Sequence, residues 1–280
     1  MLKHALYLSN YGKAISARAL ADLARLAEGS GWDGFFLWDH ILAGRTTRNP
    51  MVDPWVALAA MAVATERIRL GTTITPIARR RPWKLARETV TLDHLSGGRL
   101  ILGVGLGAPD QAEFGAFGEE TDRRIRAGKL DEGLDVLTGL WKGGNFSYEG
   151  EHYRLDKMYF RPAALQQPRI PIWVGGYWPN KAPFRRAARF DGVFPLKHNG
   201  SLAPSDLREI RAFIDAQRGE VRPLEIAVQG TTPGDDPAAG AAKLAPFTEA
   251  GLTWWLESLY LLRDDFEALR GRIEQGPPHV

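Results

Sequence analysis

Residues Leu92–Gly107 read LDHLSGGRLILGVGLG. The stretch opens as the end of an amphipathic helix, halts at Gly97-Gly98, and continues as an apolar strand whose far end alternates glycine with larger residues. A strand that is apolar throughout is covered on both faces, as parallel strands lying between helices are. Gly103, Gly105 and Gly107 leave main chain bare where the strand ends. That gives room for a flat or bulky ligand to lie against backbone, or for tight turns and barrel packing. The run is not a dinucleotide fingerprint, because no GxGxxG or Gly-Lys-Thr opens a helix there.

Working outward, the same alternation continues in both directions. Upstream lie strands HALYLS (His4–Ser9), GFFLW (Gly34–Trp38) and IRLGTTIT (Ile68–Thr75). Each is followed by a helical pattern: SARALADLARLAEGSG, then DPWVALAAMAVAT with Asp53 as N-cap and Pro54 at the first helical position, then PWKLARETVTLDHL. Downstream lie strands PIWVGG, DGVFPL, LEIAVQG and LTWWLES, again with helices between them and DDFEALRGRIEQG at the end. Eight strand–helix units in 280 residues predict an α/β protein folded as a single (β/α)8 TIM barrel. A doubly wound open sheet is the alternative, but it more often has fewer strands. No linker divides the chain, so residues 1–280 read as one barrel domain with an insertion at about 108–165, after strand four. The insertion holds a helix near Thr121–Trp141 and a hairpin, FSYEGEHYRL, turning at Glu149-Gly150; it is expected at the catalytic end.

Composition narrows the function. The chain is 44% hydrophobic and 25% charged, a globular profile, and its absence of cysteine excludes disulfides, thiolate metal sites and a cysteine nucleophile. The same absence fits a reducing compartment, and the apolar N-terminal segment is too short for a signal peptide or a membrane span, so a cytoplasmic location without membrane attachment is expected. Net charge is +3; the runs Arg79-Arg80-Arg81, Arg123-Arg124-Arg126 and Arg185-Arg186 read as solvated helix faces and loop rims, with phosphate binding as the sharper reading for one of them. No aromatic-basic motif accompanies them, so no nucleic-acid partner is expected. Histidines are not spaced as metal ligands, so no metal is expected.

In such a barrel the active site forms at the C-terminal ends of the strands. The sequence places there Asn10 and Tyr11, Asp39 and His40, Thr72–Thr75, Gly103–Gly107, Gly175 and Gly176, Lys197 and His198, Gln229 and Thr231, and Glu257. His4 and His94 are read as structural.

The segments FFLWDHI (Phe35–Ile41), TERIRLGTTITPI (Thr65–Ile77), LDHLSGGRLILGVGLG, FGEETDRRIRAGKLDEGLDVLTGLW (Phe117–Trp141) and PRIPIWVGG (Pro168–Gly176) occur in an order that resembles the bacterial luciferase-like flavin-dependent oxidoreductases. The likeness spans Ser9 to Gly192; beyond Leu196 only the alternation remains. It implies a (β/α)8 barrel, often a homodimer, acting on a small organic substrate. It also implies FMN or the deazaflavin coenzyme F-420 at the strand ends. FMN members are two-component monooxygenases fed by a separate reductase, and deazaflavin members transfer hydride. By the same resemblance His40 is the acid/base beside the reacting ring, a task suited to imidazole. Asp39 is expected to orient it or to hydrogen-bond the cofactor, although neighbours on extended chain point opposite ways. Thr73-Ile74 matches the position of a non-prolyl cis peptide behind the central ring. Gly105 and Gly107 would border the ring or its side chain. Gly175 and Gly176 match the phosphate-binding loop, with Lys181, Arg185 or Arg186 adding charge. Leu106 stands where bacterial luciferase has arginine, which tilts the expectation toward the deazaflavin. The insertion with Trp38, Tyr177, Trp178, Trp254 and Trp255 is expected to wall the substrate site.

Two other readings stand beside this one. Lys197, just past strand six, would serve a Schiff-base lyase if desolvated. A flavin-binding barrel without turnover is the non-catalytic reading, against which His40 speaks.

Overall fold

Local signals start most of the helices. In the computed structural model, which describes residues 1–46, 48–219 and 223–278, the side chains of Ser16, Asp53, Asp122, Asn180, Asp236 and Asp265 accept N–H groups at helix N-termini. Prolines 54, 82, 204 and 237 occupy first-turn positions where their missing N–H costs nothing. The order is β1 (Lys3–Leu8), α1 (Ala17–Gly29), β2 (Gly34–Leu37), α2 (Pro54–Ala64), β3 (Arg69–Pro76), α3 (Pro82–Leu95) and β4 (Leu100–Gly105). Then come a single turn α4 (Asp110–Glu113), α5 (Arg123–Trp141) and the hairpin β5 (Gly144–Glu149) and β6 (Arg154–Phe160). The chain closes with β7 (Ile172–Trp178), α6 (Lys181–Ala187), β8 (Gly192–Lys197), α7 (Pro204–Asp215), β9 (Glu225–Gly230), α8 (Pro237–Glu249), β10 (Trp254–Ser258) and α9 (Phe266–Glu274).

Eight parallel strands pair in the closed order β1-β10-β9-β8-β7-β4-β3-β2. The barrel expected from the sequence is therefore present, and closure leaves no open sheet edge. Both strand faces are buried, which explains the unbroken apolar runs. One face packs under the helices through Leu6, Leu8, Phe35, Leu37, Leu102 and their neighbours. The other fills the barrel with Ala5, Tyr7, Phe36, Ile101, Trp173, Phe194, Ala227, Trp254 and Leu256.

The lower end is sealed by aromatic rings. Phe36 stacks on Trp173 at 5.0 Å, and Trp254 meets both edge-on. Glu225 accepts from the indole N–H groups of Trp173 (2.8 Å) and Trp254 (2.9 Å), so the two largest rings of the plug are fixed by one carboxylate.

The first part of the insertion lies at the catalytic end as expected, where Ala108 and Arg123 line the cavity and Glu113 meets His40, but its hairpin departs from expectation. Helix α5 packs on α3 as the regular fourth barrel helix, and only the hairpin is added. The hairpin lies on the outer flank: Glu132 of α5 accepts the N–H groups of Glu151, His152 and Tyr153, while Arg87 of α3 covers the ring of Phe160. None of its residues lines the cavity at the catalytic end.

The glycines of the opening stretch have a packing cause. The pairing of β3 with β4 shifts register between Thr72 and Thr75. There β3 bulges toward β4, and a Cβ on Gly103 would stand inside contact distance of the Thr72 carbonyl oxygen. A methyl group at Gly103 thus requires backbone movement. Gly103→Ala is expected to destabilise the fold by about 1–3 kcal/mol or more, whereas Gly29→Ala, in the open last turn of α1, is expected to be neutral or slightly stabilising. Urea denaturation of the two variants against the parent protein checks the contrast.

Candidate active site

His40 sits just past β2, on backbone held from β1. The Asn10 side chain donates to the carbonyls of His40 and Val52 (2.8 Å each) and accepts the His40 N–H (3.3 Å). The imidazole is held by a residue that the sequence reading did not select. Its Nδ1 lies 3.1 Å from Oε1 of Glu113, at the end of α4. The same carboxylate accepts three consecutive backbone N–H groups, from Ile41 (3.0 Å), Leu42 (3.0 Å) and Ala43 (2.6 Å), and pairs with Arg79. The left-handed φ of +59° at Ala43 turns the third N–H toward the other two, forming an anion nest around Glu113. Burial alone would raise this carboxyl. The hydrogen bonds from His40 and the loop N–H groups outweigh burial and hold it at about 2. Nδ1 of His40 thus faces an ionised Glu113 at ion-pair distance, and Nε2 lies outside that contact.

Asp39 does not orient His40, contrary to expectation. It points the other way, as alternation on extended chain requires. It accepts from Arg79 (3.0 Å), both contacts of Arg80 (2.8 Å), Thr75 (2.8 Å) and the indole of Trp55 (3.3 Å). Burial opposes its ionisation, but the Arg80 and Arg79 guanidiniums hold its carboxyl below the usual carboxylate range. Arg79 and Arg80 are therefore not a solvated rim. With Asp39 and Glu113 they form a buried quartet of two cations and two anions, and Arg79 bridges both carboxylates.

Thr73 and Ile74 form the bulge of β3, with the peptide between them in the cis form. The Ile74 side chain enters space that larger residues would deny it: a Cβ on Gly105 would lie 2.5 Å from its Cδ1, and one on Gly175 would lie 2.6 Å from its Cγ2. Gly105 thus makes room for Ile74 and does not border the cavity, a correction to the expectation. Leu106 and Gly107 do line it, together with Thr73, Ile74, Gly175 and Gly176. Gly107 has φ +76°, and the Leu106 carbonyl is fixed by Arg126 (3.0 Å), a fully buried cation that also holds Asp110 (2.5 Å). Thr73 Oγ1 is buried without a hydrogen-bond partner among the described residues.

These residues surround a cavity of about 660 Å³ at the C-terminal mouth of the barrel. Trp38, Tyr177 and Trp255 contribute to its wall, whereas Trp178 and Trp254 do not. Trp254 belongs to the plug at the opposite end, and Trp178 packs outward on Phe184 and Phe213. Lys181 is drawn over the Trp178 ring (3.4 Å) and Arg186 is paired with Asp131 (2.6 Å), so neither supplies charge beside Gly175-Gly176. The basic groups that do line the cavity are Arg79, Arg123, Lys197 and Lys243. Lys197 is salt-bridged to Asp206 at 2.9 Å and about a third exposed (35%), the opposite of the desolvation a Schiff-base lysine needs. Glu257 faces away, accepting from Thr232 and Trp255. Among the described residues no cluster has the makings of a metal site.

The profile described as luciferase-like monooxygenase matches residues 3–272. The chain belongs to that family. Over 200 residues this luciferase-like protein is 37% identical to the F420-dependent glucose-6-phosphate dehydrogenase of Nakamurella multipartita, a match covering 66% of this chain and 56% of the relative. Its matches to the relatives thus span somewhat more than half of their length. The F420-dependent tetrahydromethanopterin reductase of Methanopyrus kandleri superposes with a TM-score of 0.78 at 18% identity, over 99% of this chain and 98% of the other. Monooxygenase RslO1 of Streptomyces bottropensis does so with 0.76 at 22% identity, over 98% and 97%. At such identities the superpositions attest the shared barrel.

Sequence reading missed Glu113, Arg79 and Arg126 in this luciferase-like site. The only signal for the arginines was their place in basic runs. Nothing local marks Glu113, whose partners lie 34 to 73 residues away. Its folded value near 2, against about 4.5 for an unperturbed glutamate, sets a pH dependence. A carboxyl depressed on folding stabilises above its unfolded value and loses that contribution as pH falls through its folded one. The urea midpoint difference between the parent protein and Glu113→Gln is expected to be largest near neutrality and to shrink as pH falls from about 4.5 toward 2.

Proposed function

We propose that the protein is a flavin- or deazaflavin-dependent oxidoreductase acting on a small organic substrate, with the deazaflavin F-420 favoured over FMN. The observation that carries this reading is the His40–Glu113 pair facing one cavity together with the bulge at Thr73-Ile74. The residues present fit such a coenzyme. A buried hydroxyl without partner, Thr73 Oγ1, lies in the wall where a ring edge would meet it. The main chain of Leu106–Gly107 and Gly175–Gly176 borders the same space, and Arg123 stands at the rim for an anionic tail. Leu106 in place of a cation, and relatives named as F420-dependent, support the deazaflavin.

Bound there, the coenzyme supplies the hydride donor or acceptor. The chain supplies the rest. Glu113, kept ionised by its nest, fixes the imidazole so that Nε2 gives or takes a proton at the substrate. The quartet of Asp39, Glu113, Arg79 and Arg80 balances its own charge and keeps that geometry rigid. Trp38 and Tyr177 limit water and align the substrate, which contributes much of the rate. In the FMN case reduced flavin would arrive from a separate reductase. A cytoplasmic location belongs to the same reading; it rests on the cysteine-free composition, and no helix among the described residues is long and apolar enough to cross a membrane.

The homodimer is part of the proposal. Helix α2 is apolar nearly all round, and its outer face exposes Val56 (65%) and Val63 (70%), one above the other two turns apart. A second copy covering this face would bury what a lone chain leaves in water.

Titration of the purified protein with FMN and with F-420, followed by absorbance, tests the coenzyme: tight binding of F-420 and weak binding of FMN is expected, and binding of neither sinks the reading. His40→Gln is expected to lower turnover about 100-fold or more with coenzyme affinity unchanged. Val56→Glu with Val63→Glu is expected to turn a dimer into a monomer in light scattering.

A further inference from the structure

Tyr7 lines the cavity wall with no role in holding His40 or the bulge. It points into the barrel near the top of β1, 6% exposed, with its ring against Phe194 (5.6 Å) and Trp38 (5.6 Å). Among the described residues no protein group takes up its hydroxyl, which faces the cavity. A phenol of the cavity wall that the described residues leave unpaired is open to a partner from outside. Its register partner on β10 is Ser258, which also lines the cavity and whose hydroxyl is unclaimed among the described residues. Two hydroxyl-bearing residues in register on neighbouring strands therefore line the same cavity. In the closed strand order, β1 and β10 lie across the barrel from β7 and β4, which carry the Gly175-Gly176 and Leu106-Gly107 walls.

The surroundings define what such a pair would hold. Trp38 is backed by Tyr260 in a near-parallel stack (5.1 Å, 8°), and Tyr177 is stacked on His198 (4.0 Å, 5°). Braced rings of this kind favour a planar group between them. Burial pushes the Tyr7 phenol up, and Tyr177 and Tyr11 add to the effect, so its hydroxyl keeps its proton. We propose that Tyr7 and Ser258 form a neutral subsite that grips an uncharged carbonyl or hydroxyl oxygen of a planar substrate. The inference rests on the reading of this cavity as the substrate site. It selects an uncharged oxygen over a carboxylate, because the groups packed against Tyr7 are the rings of Trp38 and Phe194, against which an anion would lose its hydration.

The test needs no coenzyme, so its outcome and that of the coenzyme titration are separable. Acetophenone, α-methylstyrene (the same shape with a methylene in place of the oxygen) and benzoate are titrated into the purified protein, followed by tryptophan fluorescence. Acetophenone is expected to bind more tightly than benzoate. Tyr7→Phe should weaken acetophenone about threefold to tenfold, the worth of one neutral hydrogen bond, while leaving α-methylstyrene unchanged; Ser258→Ala should act in the same direction. Infrared spectra of carbonyl-labelled acetophenone should show a lowered stretching frequency in the parent protein that Tyr7→Phe restores. An unchanged acetophenone affinity in Tyr7→Phe, tighter binding of benzoate, or no acetophenone binding to the parent protein would each overturn the proposal. Equal thermal melts of parent and Tyr7→Phe exclude misfolding as the cause of a loss.

Discussion

The site depends on one carboxylate. Glu113 meets the His40 ring, three consecutive N–H groups of the following loop, and Arg79, and through Arg79 it is tied to Asp39. A buried anion is costly unless its lone pairs are occupied. Here they are, by groups from the loop after β2, from the segment after β3, and from the histidine itself. The consequence is that the imidazole cannot turn without breaking an arrangement that also holds two loops.

The same device recurs through the fold. Glu28 of α1 accepts the N–H groups of Glu66, Arg67 and Ile68 ahead of β3. Glu132 does so for the hairpin turn, and Asp93 for Leu165 and Gln166 before β7. Glu225 serves indoles in place of backbone at the barrel floor. Loops between barrel strands carry N–H groups that no ladder satisfies. One carboxylate reaching several of them fixes a loop that has few apolar contacts of its own. At Glu113 this general solution also acquires an imidazole.

Much of this was legible in the chain. Unbroken apolar strands, Asp and Ser caps, prolines at helix starts and Gly97-Gly98 behind α3 are local signals, and they lead to eight units and a barrel. His40, Thr73, Ile74, Leu106, Gly107, Gly175 and Gly176 were read at strand ends, and the structure brings all of them to one cavity. Asp39 lines it as well, with its carboxylate engaged by Arg79 and Arg80, whereas Gly105 sits beside it in another role. Trp178 and Trp254 show the limit of reading aromatic residues by neighbourhood alone: Trp254, at the first position of its strand, points into the floor, and Trp178 points under a helix.

By itself, the sequence determined the alternation, the closure of the strands, and the end of the barrel at which chemistry gathers, because each follows from periodicity and from residues near one another in the chain. Only the tertiary structure decided which carboxylate serves His40, that the side chains of Arg79 and Arg126 are buried and that of Arg80 is paired with Asp39, and that the glycines of β4 make room for the bulge of β3. Those pairings join residues tens of positions apart. Which of many charged side chains meet depends on strand order and on the twist that aims each loop, and neither leaves a mark on the residues themselves.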